Sequence, residues 1–196
     1  MKKIAFILLA GGLVMQACNN GDKNKDSVDS ANQANKEAAA PGSDTTTAPV
    51  MTVDKESADF AVKAANGGMM EVDLGRWAES HASAQSVKDF GSMMASDHSK
   101  ANEELKTLAA SKNITLPAAV SDDTKKHMDD MMAKKGADFD KAYVNMMVDD
   151  HKEDISLFEK AAANLADPDL KAWAAKTLPT LRKHYDAIKA IKDKMK

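Results

Sequence analysis

The spacing of hydrophobic positions along this chain changes near residue 50. Before that point, residues 19–50 are mostly Asn, Asp, Lys, Ser, Ala, Thr and Pro, with almost no large apolar side chain. Such a stretch cannot bury enough apolar surface to fold. From Ser57 onward, apolar residues recur at the three- and four-residue spacing of amphipathic helices. The pattern predicts an all-α domain over residues 51–196, preceded by a disordered tether over residues 18–50.

Four long helices are predicted within this domain. We place them at residues 57–82, 84–111, 137–166 and 169–194. Short links join the first helix to the second and the third to the fourth, so each pair is expected to form an antiparallel hairpin. The connection at residues 112–136 is longer, is broken by Pro117 and contains a short helix after Ser121, which suggests a crossover. The predicted architecture is an up-down four-helix bundle with a long connection between its second and third helices.

The N-terminus has the layout of a lipoprotein signal peptide. Two lysines follow the initiating methionine, an apolar run covers residues 4–15, and the small Ala17 directly precedes Cys18. The run is too short to span a bilayer as a mature helix. We therefore predict a signal peptide over residues 1–17 and lipidation of Cys18. An ordinary secretory peptide with an incidental cysteine is the alternative.

Charge and cysteine content narrow the location and the partners. Cys18 is the only cysteine, so no intrachain disulfide can form. The formal net charge is −3 and no block of Lys or Arg stands out, which argues against nucleic acid as a partner. We expect a cell-envelope protein of the outer membrane or periplasm, whose membrane contact is made through the lipid on Cys18.

A short internal repeat links the second and third predicted helices. Residues 90–98 (FGSMMASDH) align without gaps with residues 143–151 (YVNMMVDDH), at an offset of 53 positions. An aromatic residue, two methionines, an aspartate and a histidine match. Two hairpins related by pseudo-symmetry would put the two segments in comparable places.

One polar residue interrupts the apolar stripe of each long helix. These residues are Glu71, His98, His151 and His184. In an antiparallel hairpin, residues equidistant from the turn lie at the same level. The midpoint of positions 71 and 98 is 84.5, at the first predicted turn, and that of positions 151 and 184 is 167.5, inside the second. The four side chains are therefore expected to converge in one interior layer, where each needs a partner.

Three imidazoles and one carboxylate suit a divalent transition metal such as Zn²⁺, Fe²⁺ or Cu²⁺, so the four residues are predicted metal ligands. A shared ion requires imidazole nitrogens within about 8 Å of one another. Met94 and Met147 lie one turn before two of the histidines, as additional copper ligands or as core filler. Asp97 and Asp150 point about 100° away around their helices, which favours a supporting or interhelical role. A metal-free Glu–His network that sets helix register is the alternative.

Two backbone features lie near these positions. The glycine pair at residues 67–68 precedes Glu71 by one turn and would let a neighbouring helix approach closely. Pro179 lies inside the fourth helix, five residues before His184. It either kinks the helix so that His184 points inward or marks a tolerated bend.

Several motifs together resemble the exported bacterial family called domain of unknown function 4142. They are the GGMME segment at residues 67–71, the two MMxxDH segments, GADFD at residues 136–140 and LPTLRKH at residues 178–184. The resemblance covers about Ser57 to the C-terminus. It implies a ferritin-like four-helix bundle in the cell envelope and supplies no activity.

The predicted function is binding of one transition-metal ion inside a lipid-tethered bundle, for storage, sensing or buffering. A metal-free structural or partner-binding bundle is the second hypothesis. Di-iron proteins of this fold group use Glu-x-x-His on two helices, and the chain has no Glu-x-x-His. It also has no nucleophile–base pair or phosphate loop, so an enzymatic function is not favoured.

Overall fold

The computed structural model describes residues 25–39 and 53–195, and this part of the chain is all-helical, as predicted. Its six helices are α1 (Ser27–Ala38), α2 (Lys55–His81), α3 (Gln85–Ser111), α4 (Asp122–Met132), α5 (Gly136–Asn164) and α6 (Pro168–Lys194). Among the described helices, none combines the length and apolarity needed to cross a bilayer. The predicted signal peptide and Cys18 lie outside the described residues.

Polar side chains cap the start of α2, α4 and α6. The carboxylate of Asp54 accepts a hydrogen bond from the backbone N–H of Ser57 at 3.0 Å, which caps α2. The hydroxyl of Ser121 does the same for α4. Asp167 caps α6, with Pro168 as its first residue, a position where the missing N–H of proline costs nothing. The predicted limits of the four long helices agree with the observed limits to within about two residues, which is the usual uncertainty of helix ends.

The 112–135 connection carries the chain back along the length of the domain. Asp140, near the start of α5, accepts hydrogen bonds from the backbone N–H groups of Ser83 (2.9 Å) and Ala84 (2.7 Å) in the link between α2 and α3. Lys112, just after α3, pairs with Asp167 in the link between α5 and α6 at 2.7 Å. Helices α3 and α5 therefore run in the same direction, and the long connection is a crossover as expected. The order of directions is up, down, down, up rather than strict alternation.

The four long helices pack as two hairpins. Helix α2 packs along α3, and α5 along α6, while α3 also contacts α6 and α2 also contacts α5. Two glycines allow the closest approach. A Cβ at Gly75 would lie 2.8 Å from the carbonyl oxygen of Gly91, and a Cβ at Gly91 would lie 2.6 Å from that of Gly75. Only glycine fits at either position without moving the helices apart.

The disordered-tether prediction for residues 18–50 is wrong for α1. This helix packs against α2. Ala31 and Asn35 are buried on its inner face. The side chain of Asn35 donates a hydrogen bond to the carbonyl oxygen of Thr115 at 2.9 Å and accepts one from its N–H at 2.7 Å. Polar composition hid this helix because it docks through a small residue and an amide rather than through large apolar side chains.

Two apolar clusters fill the interior, one on each side of a polar layer. The first, here the Trp173 cluster, includes Phe60, Leu105, Phe158 and Trp173. The second, here the Tyr143 cluster, includes Leu74, Phe90, Met94, Tyr143, Met147 and Ile188. On α3, α5 and α6, the interrupting histidine lies between the segments that supply the two clusters, and on α2 Glu71 directly follows Met70, the first residue of the Tyr143 cluster.

Candidate metal centre

The four predicted polar residues meet in the layer between the two apolar clusters. Glu71 is 1% exposed, His98 6%, and His151 and His184 0%. The three imidazole ring centroids lie 5.2–5.9 Å apart. The convergence expected from the positions of the turns is therefore present, with one side chain from each long helix. Whether these residues bind a metal stays a prediction.

Two of the histidines are fixed in a single tautomer by acceptors on their outer side. The Nδ1 of His151 lies 3.0 Å from the carbonyl oxygen of Met147. A carbonyl only accepts, so Nδ1 carries the proton. The Nε2 of His184 lies 3.1 Å from Oδ2 of Asp97 on α3. Burial works to raise the pKa of Asp97, but the hydrogen bond and charge of His184 hold that pKa below its ordinary value, so this carboxylate also accepts.

His98 is held by Glu71. Its Nδ1 lies 2.8 Å from Oε2 of that residue across the α2–α3 contact. Burial lowers the pKa of His98, against the opposing charges of Asp154 and Asp150, so the imidazole is neutral and Nδ1–H donates to the carboxyl group. Asp97, which lies beside the apolar stripe of α3, contacts His184 on α6. It is therefore an interhelical partner, as predicted.

The inner nitrogens of all three rings have no hydrogen-bond partner among the described residues. They are Nε2 of His98, Nε2 of His151 and Nδ1 of His184. One ring nitrogen from each histidine lies within 4.8 Å of the other two, well inside the predicted limit of about 8 Å. Bonds of about 2.0–2.1 Å to a shared ion place ligand nitrogens roughly 3.5 Å apart. Small side-chain movements would therefore bring the three nitrogens to the spacing that an ion requires.

The electrostatics of this layer favour neutral imidazoles. Burial, followed by the charges of the neighbouring histidines, lowers the pKa of His151 to about 3. Burial also lowers the pKa of His184 to about 4, although Asp97 opposes it. Neutral imidazole is the form that binds a metal. At neutral pH these nitrogens therefore carry available lone pairs, with no proton to displace.

Besides Asp97, three carboxyl groups adjoin the histidines, and one of these three was not predicted. Glu71 and Asp154 interact electrostatically, and burial raises the pKa of both groups well above the usual range. Burial and the charge of Asp154 raise the pKa of Asp150 to about 8. Asp154 lies three residues after His151, a spacing that puts two side chains on one helix face. That spacing was the available signal.

The remaining predicted residues have different surroundings. Met94 and Met147 are fully buried within the Tyr143 cluster, and the described contact of Met147 to the layer is its backbone carbonyl. Asp150 groups with Glu71 and His151, because one ligand atom from each lies within 4.8 Å of the others.

An apolar ring shields the histidines from the side of the Tyr143 cluster. The Phe90 ring centroid lies 6.4 Å from that of His151 and 6.5 Å from that of His184. On the opposite side, Glu71, His98 and Asp154 border a cavity of about 20 Å³. That volume is enough for roughly one water molecule. The layer is thus dry on one side and has room for a small ligand on the other.

The two backbone features flank the centre. A Cβ at Gly68 would meet the flexible end of the Asn102 side chain on α3, so this glycine makes room for that side chain just before Glu71. Helix α6 continues through Pro179, which lies on its exposed face.

The fold and the site together define an all-helical domain with a buried histidine–carboxylate layer. The family model described as Domain of unknown function (DUF4142) matches residues 28–191, and the chain belongs to this family. The match begins within α1, earlier than the start at Ser57 inferred from the motifs. No curated protein and no solved structure matches the chain.

Proposed function

We propose that this chain is an envelope protein, anchored by lipid on Cys18, that binds one transition-metal ion through His98, His151 and His184. Storage, sensing or buffering of the ion would follow. The observation that carries the proposal is the arrangement of protons and lone pairs. Each ring donates one N–H to an acceptor and keeps its other nitrogen unpartnered, and one ring nitrogen of each histidine lies within 4.8 Å of one from each of the other two.

The energetics support a ligand at this point. A buried polar atom left without a partner costs about 1–3 kcal/mol, and three such nitrogens share one small volume. A metal ion would satisfy all three at once. Histidine ligands in metalloproteins donate their other N–H to a carboxylate or a backbone carbonyl. His184 with Asp97, His151 with the carbonyl of Met147, and His98 with Glu71 follow that pattern.

The donor set indicates the kind of metal. Neutral imidazoles suit Zn²⁺, Cu²⁺ and Fe²⁺ more than Ca²⁺ or Mg²⁺, which prefer oxygen. Three nitrogens leave a fourth tetrahedral position. The Oε1 atom of Glu71 has no hydrogen-bond partner and lies 3.6 Å from Nε2 of His151, so it is the nearest protein candidate for that position.

We also propose that the two hairpins form a ferritin-like bundle. The single long crossover between α3 and α5 and the placement of one interior side chain per long helix support this assignment, because ferritin-like bundles have one such connection and build metal sites from facing helices. The cell-envelope location rests on the sequence before Cys18.

The metal proposal can be tested by loading the purified chain. After dialysis against Zn²⁺ or Cu²⁺, we expect one bound ion per wild-type chain by elemental analysis and none in the His98→Gln/His151→Gln double variant. His127 is exposed on α4, so His127→Gln is the matched control and should keep one ion. Far-UV circular dichroism checks that each variant is folded. Absence of metal from the wild type, or equal metal in wild type and double variant, would show that the layer is a metal-free register network.

A supporting residue gives a second readout. Asp97→Ala removes the acceptor that orients His184, and loss of such a partner typically weakens metal affinity about 10–100-fold. We expect the stoichiometry to remain one while the dissociation constant rises by that factor in a competition titration with a chromophoric chelator. Asp186→Ala, at an exposed position two residues after His184, should leave the affinity unchanged. An unchanged affinity in Asp97→Ala would contradict the assigned role.

A further inference from the structure

We infer that a second, oxygen-rich cation position, formed by Glu71, Asp150 and His151, lies beside the three-histidine site and exchanges its ion with that site. One ligand atom from each of the three residues lies within 4.8 Å of the other two. The exchange part of this inference rests on the proposed metal binding by the histidines. The existence of the second position does not.

Each of these three residues has a buried, unpartnered polar atom. Oε1 of Glu71, Oδ2 of Asp150 and Nε2 of His151 are all buried without a hydrogen-bond partner among the described residues. Glu71 is 1% exposed and His151 is 0% exposed. Their two unpartnered atoms lie 3.6 Å apart. The position therefore has two carboxylate oxygens and one nitrogen, and no described protein group satisfies them.

Both positions require Nε2 of His151, and Oε1 of Glu71 is near enough to serve either. Nδ1 of His151 is engaged with the carbonyl oxygen of Met147 at 3.0 Å. Its Nε2 is consequently the one nitrogen that the residue offers to either position. An imidazole nitrogen has one lone pair and binds one ion. Occupation of the two positions is therefore mutually exclusive, and His151 is the pivot between them.

The chemistry of the two positions differs. Two carboxylate oxygens and one imidazole suit a harder ion such as Mn²⁺, whereas three imidazoles suit Zn²⁺ or Cu²⁺. Depth differs as well, because Asp150 is half-buried whereas all three histidines are buried. An ion that arrives from solvent on the α5 side meets Asp150 before the histidines. The oxygen-rich position is thus placed to load the three-histidine site.

Mn²⁺ titration of the full chain, followed by electron paramagnetic resonance, tests the second position directly. We expect one bound Mn²⁺ in the wild type and at least a tenfold weaker signal from bound ion in Asp150→Asn. The neighbouring residue Asp149 is exposed, so Asp149→Asn is the matched control and should bind Mn²⁺ normally. His184→Gln should keep Mn²⁺ and lose Zn²⁺, because only the three-histidine site uses His184.

Competition and rate measurements test the exchange. Added Zn²⁺ should displace Mn²⁺ in a one-to-one ratio, since both require the same nitrogen. Asp150→Asn should take up the same amount of Zn²⁺ at equilibrium but at least tenfold more slowly. Simultaneous binding of both ions, or an unchanged loading rate, would overturn the exchange.

The two proposals can fail separately. Zn²⁺ binding with no Mn²⁺ binding, or equal Mn²⁺ binding in Asp150→Asn and wild type, overturns the second position and leaves the three-histidine site in place. Loss of Mn²⁺ in His184→Gln overturns it too, because the Mn²⁺ would then lie among the histidines. Mn²⁺ binding without any Zn²⁺ or Cu²⁺ binding overturns the three-histidine site and, with it, the exchange. The second position would remain in place.

Discussion

Protonation of individual side chains decides what the polar layer can hold. Carboxyl and imidazole groups are buried there together, and burial shifts the pKa of each group toward its neutral form. The pKa of Asp150 is raised to about 8, whereas that of His151 is lowered to about 3. At neutral pH the metal-free layer therefore contains protonated carboxyl groups beside neutral imidazoles. Carboxylates form when an ion arrives to replace the protons.

Asp150 gives a pH-dependent stability that can be measured. Its folded-state pKa of about 8 lies above the ordinary value of 3.8 for an aspartate. The contribution of Asp150 to the free energy of unfolding is fully present below about pH 4 and is lost as pH rises toward 8. With a chelator present, we expect Asp150→Asn to equal the wild type near pH 4–5 and to exceed it at pH 8 in free energy of unfolding by urea, by more than about 1 kcal/mol. Asp149→Asn should follow the wild type at both pH values, and a parallel pH profile for Asp150→Asn would contradict the assignment.

The sequence predicted the three histidines and Glu71 as site residues because each interrupts the apolar stripe of its helix. That interruption is visible along the chain without knowledge of how the helices pack. It also predicted that Asp97 would reach another helix. Asp154 was missed because its position beside the stripe looks like an ordinary solvated face. Its interaction with Glu71 depends on how α2 and α5 face each other. The three-residue spacing from His151 puts Asp154 on the same helix face but does not show which residue of another helix it meets.

At the level of elements, the α2–α3 contact sets the geometry on one side of the centre. Gly75 and Gly91 face each other so closely that each carbonyl oxygen occupies the space of the other residue's Cβ. This approach brings Glu71 and His98 within 2.8 Å of each other. Any side chain larger than hydrogen at the crossing would force the helices apart and separate that pair.

Alanine substitutions at Gly91 and Gly67 should therefore change the stability of the fold in opposite directions. In Gly91→Ala, the new Cβ would lie 2.6 Å from the carbonyl oxygen of Gly75, and such overpacking costs about 1–3 kcal/mol. In Gly67→Ala, the nearest atom to the new Cβ is Oδ1 of Asp154 at 3.9 Å, so the higher helix propensity of alanine should add up to about 1 kcal/mol. Thermal unfolding monitored by circular dichroism compares them. Equal or reversed effects of the two substitutions on stability would show that packing does not require a glycine at Gly91.

Helix α1 marks a limit of sequence interpretation at this scale. Hydrophobic periodicity predicted the four long helices because each buries a wide apolar face. The inner face of α1 carries Ala31 and Asn35, and its docking depends on two hydrogen bonds between Asn35 and Thr115, 80 positions apart. Composition cannot register a contact of that kind. The family match from residue 28 assigns α1 to the domain.

Across the whole molecule, docking of α1 shortens the connection between the proposed lipid and the domain. The tether predicted from composition ran through residue 50, whereas α1 already begins at Ser27 and its cap is Asp26. Only residues 19–25 separate Cys18 from that cap. Even fully extended, such a segment spans about 3.3–3.6 Å per residue, or roughly 25–30 Å from Cys18 to the cap. A lipid on Cys18 would therefore hold the start of α1 within roughly 30 Å of the membrane surface.

The anchor itself is testable by removal of the single thiol. Because a lipoprotein is modified on the cysteine that becomes its first residue, Cys18→Ser should move the protein from the membrane fraction of the producing bacterium into a soluble fraction. Asn19→Ser, a neighbouring substitution to the same residue, should leave it with the membranes. Fractionation followed by immunoblotting measures both, and the mass of the wild-type N-terminal peptide should exceed that of its unmodified sequence by the added lipid. Wild-type protein found in the soluble fraction, or Cys18→Ser retained with the membranes, would contradict lipid anchoring at Cys18.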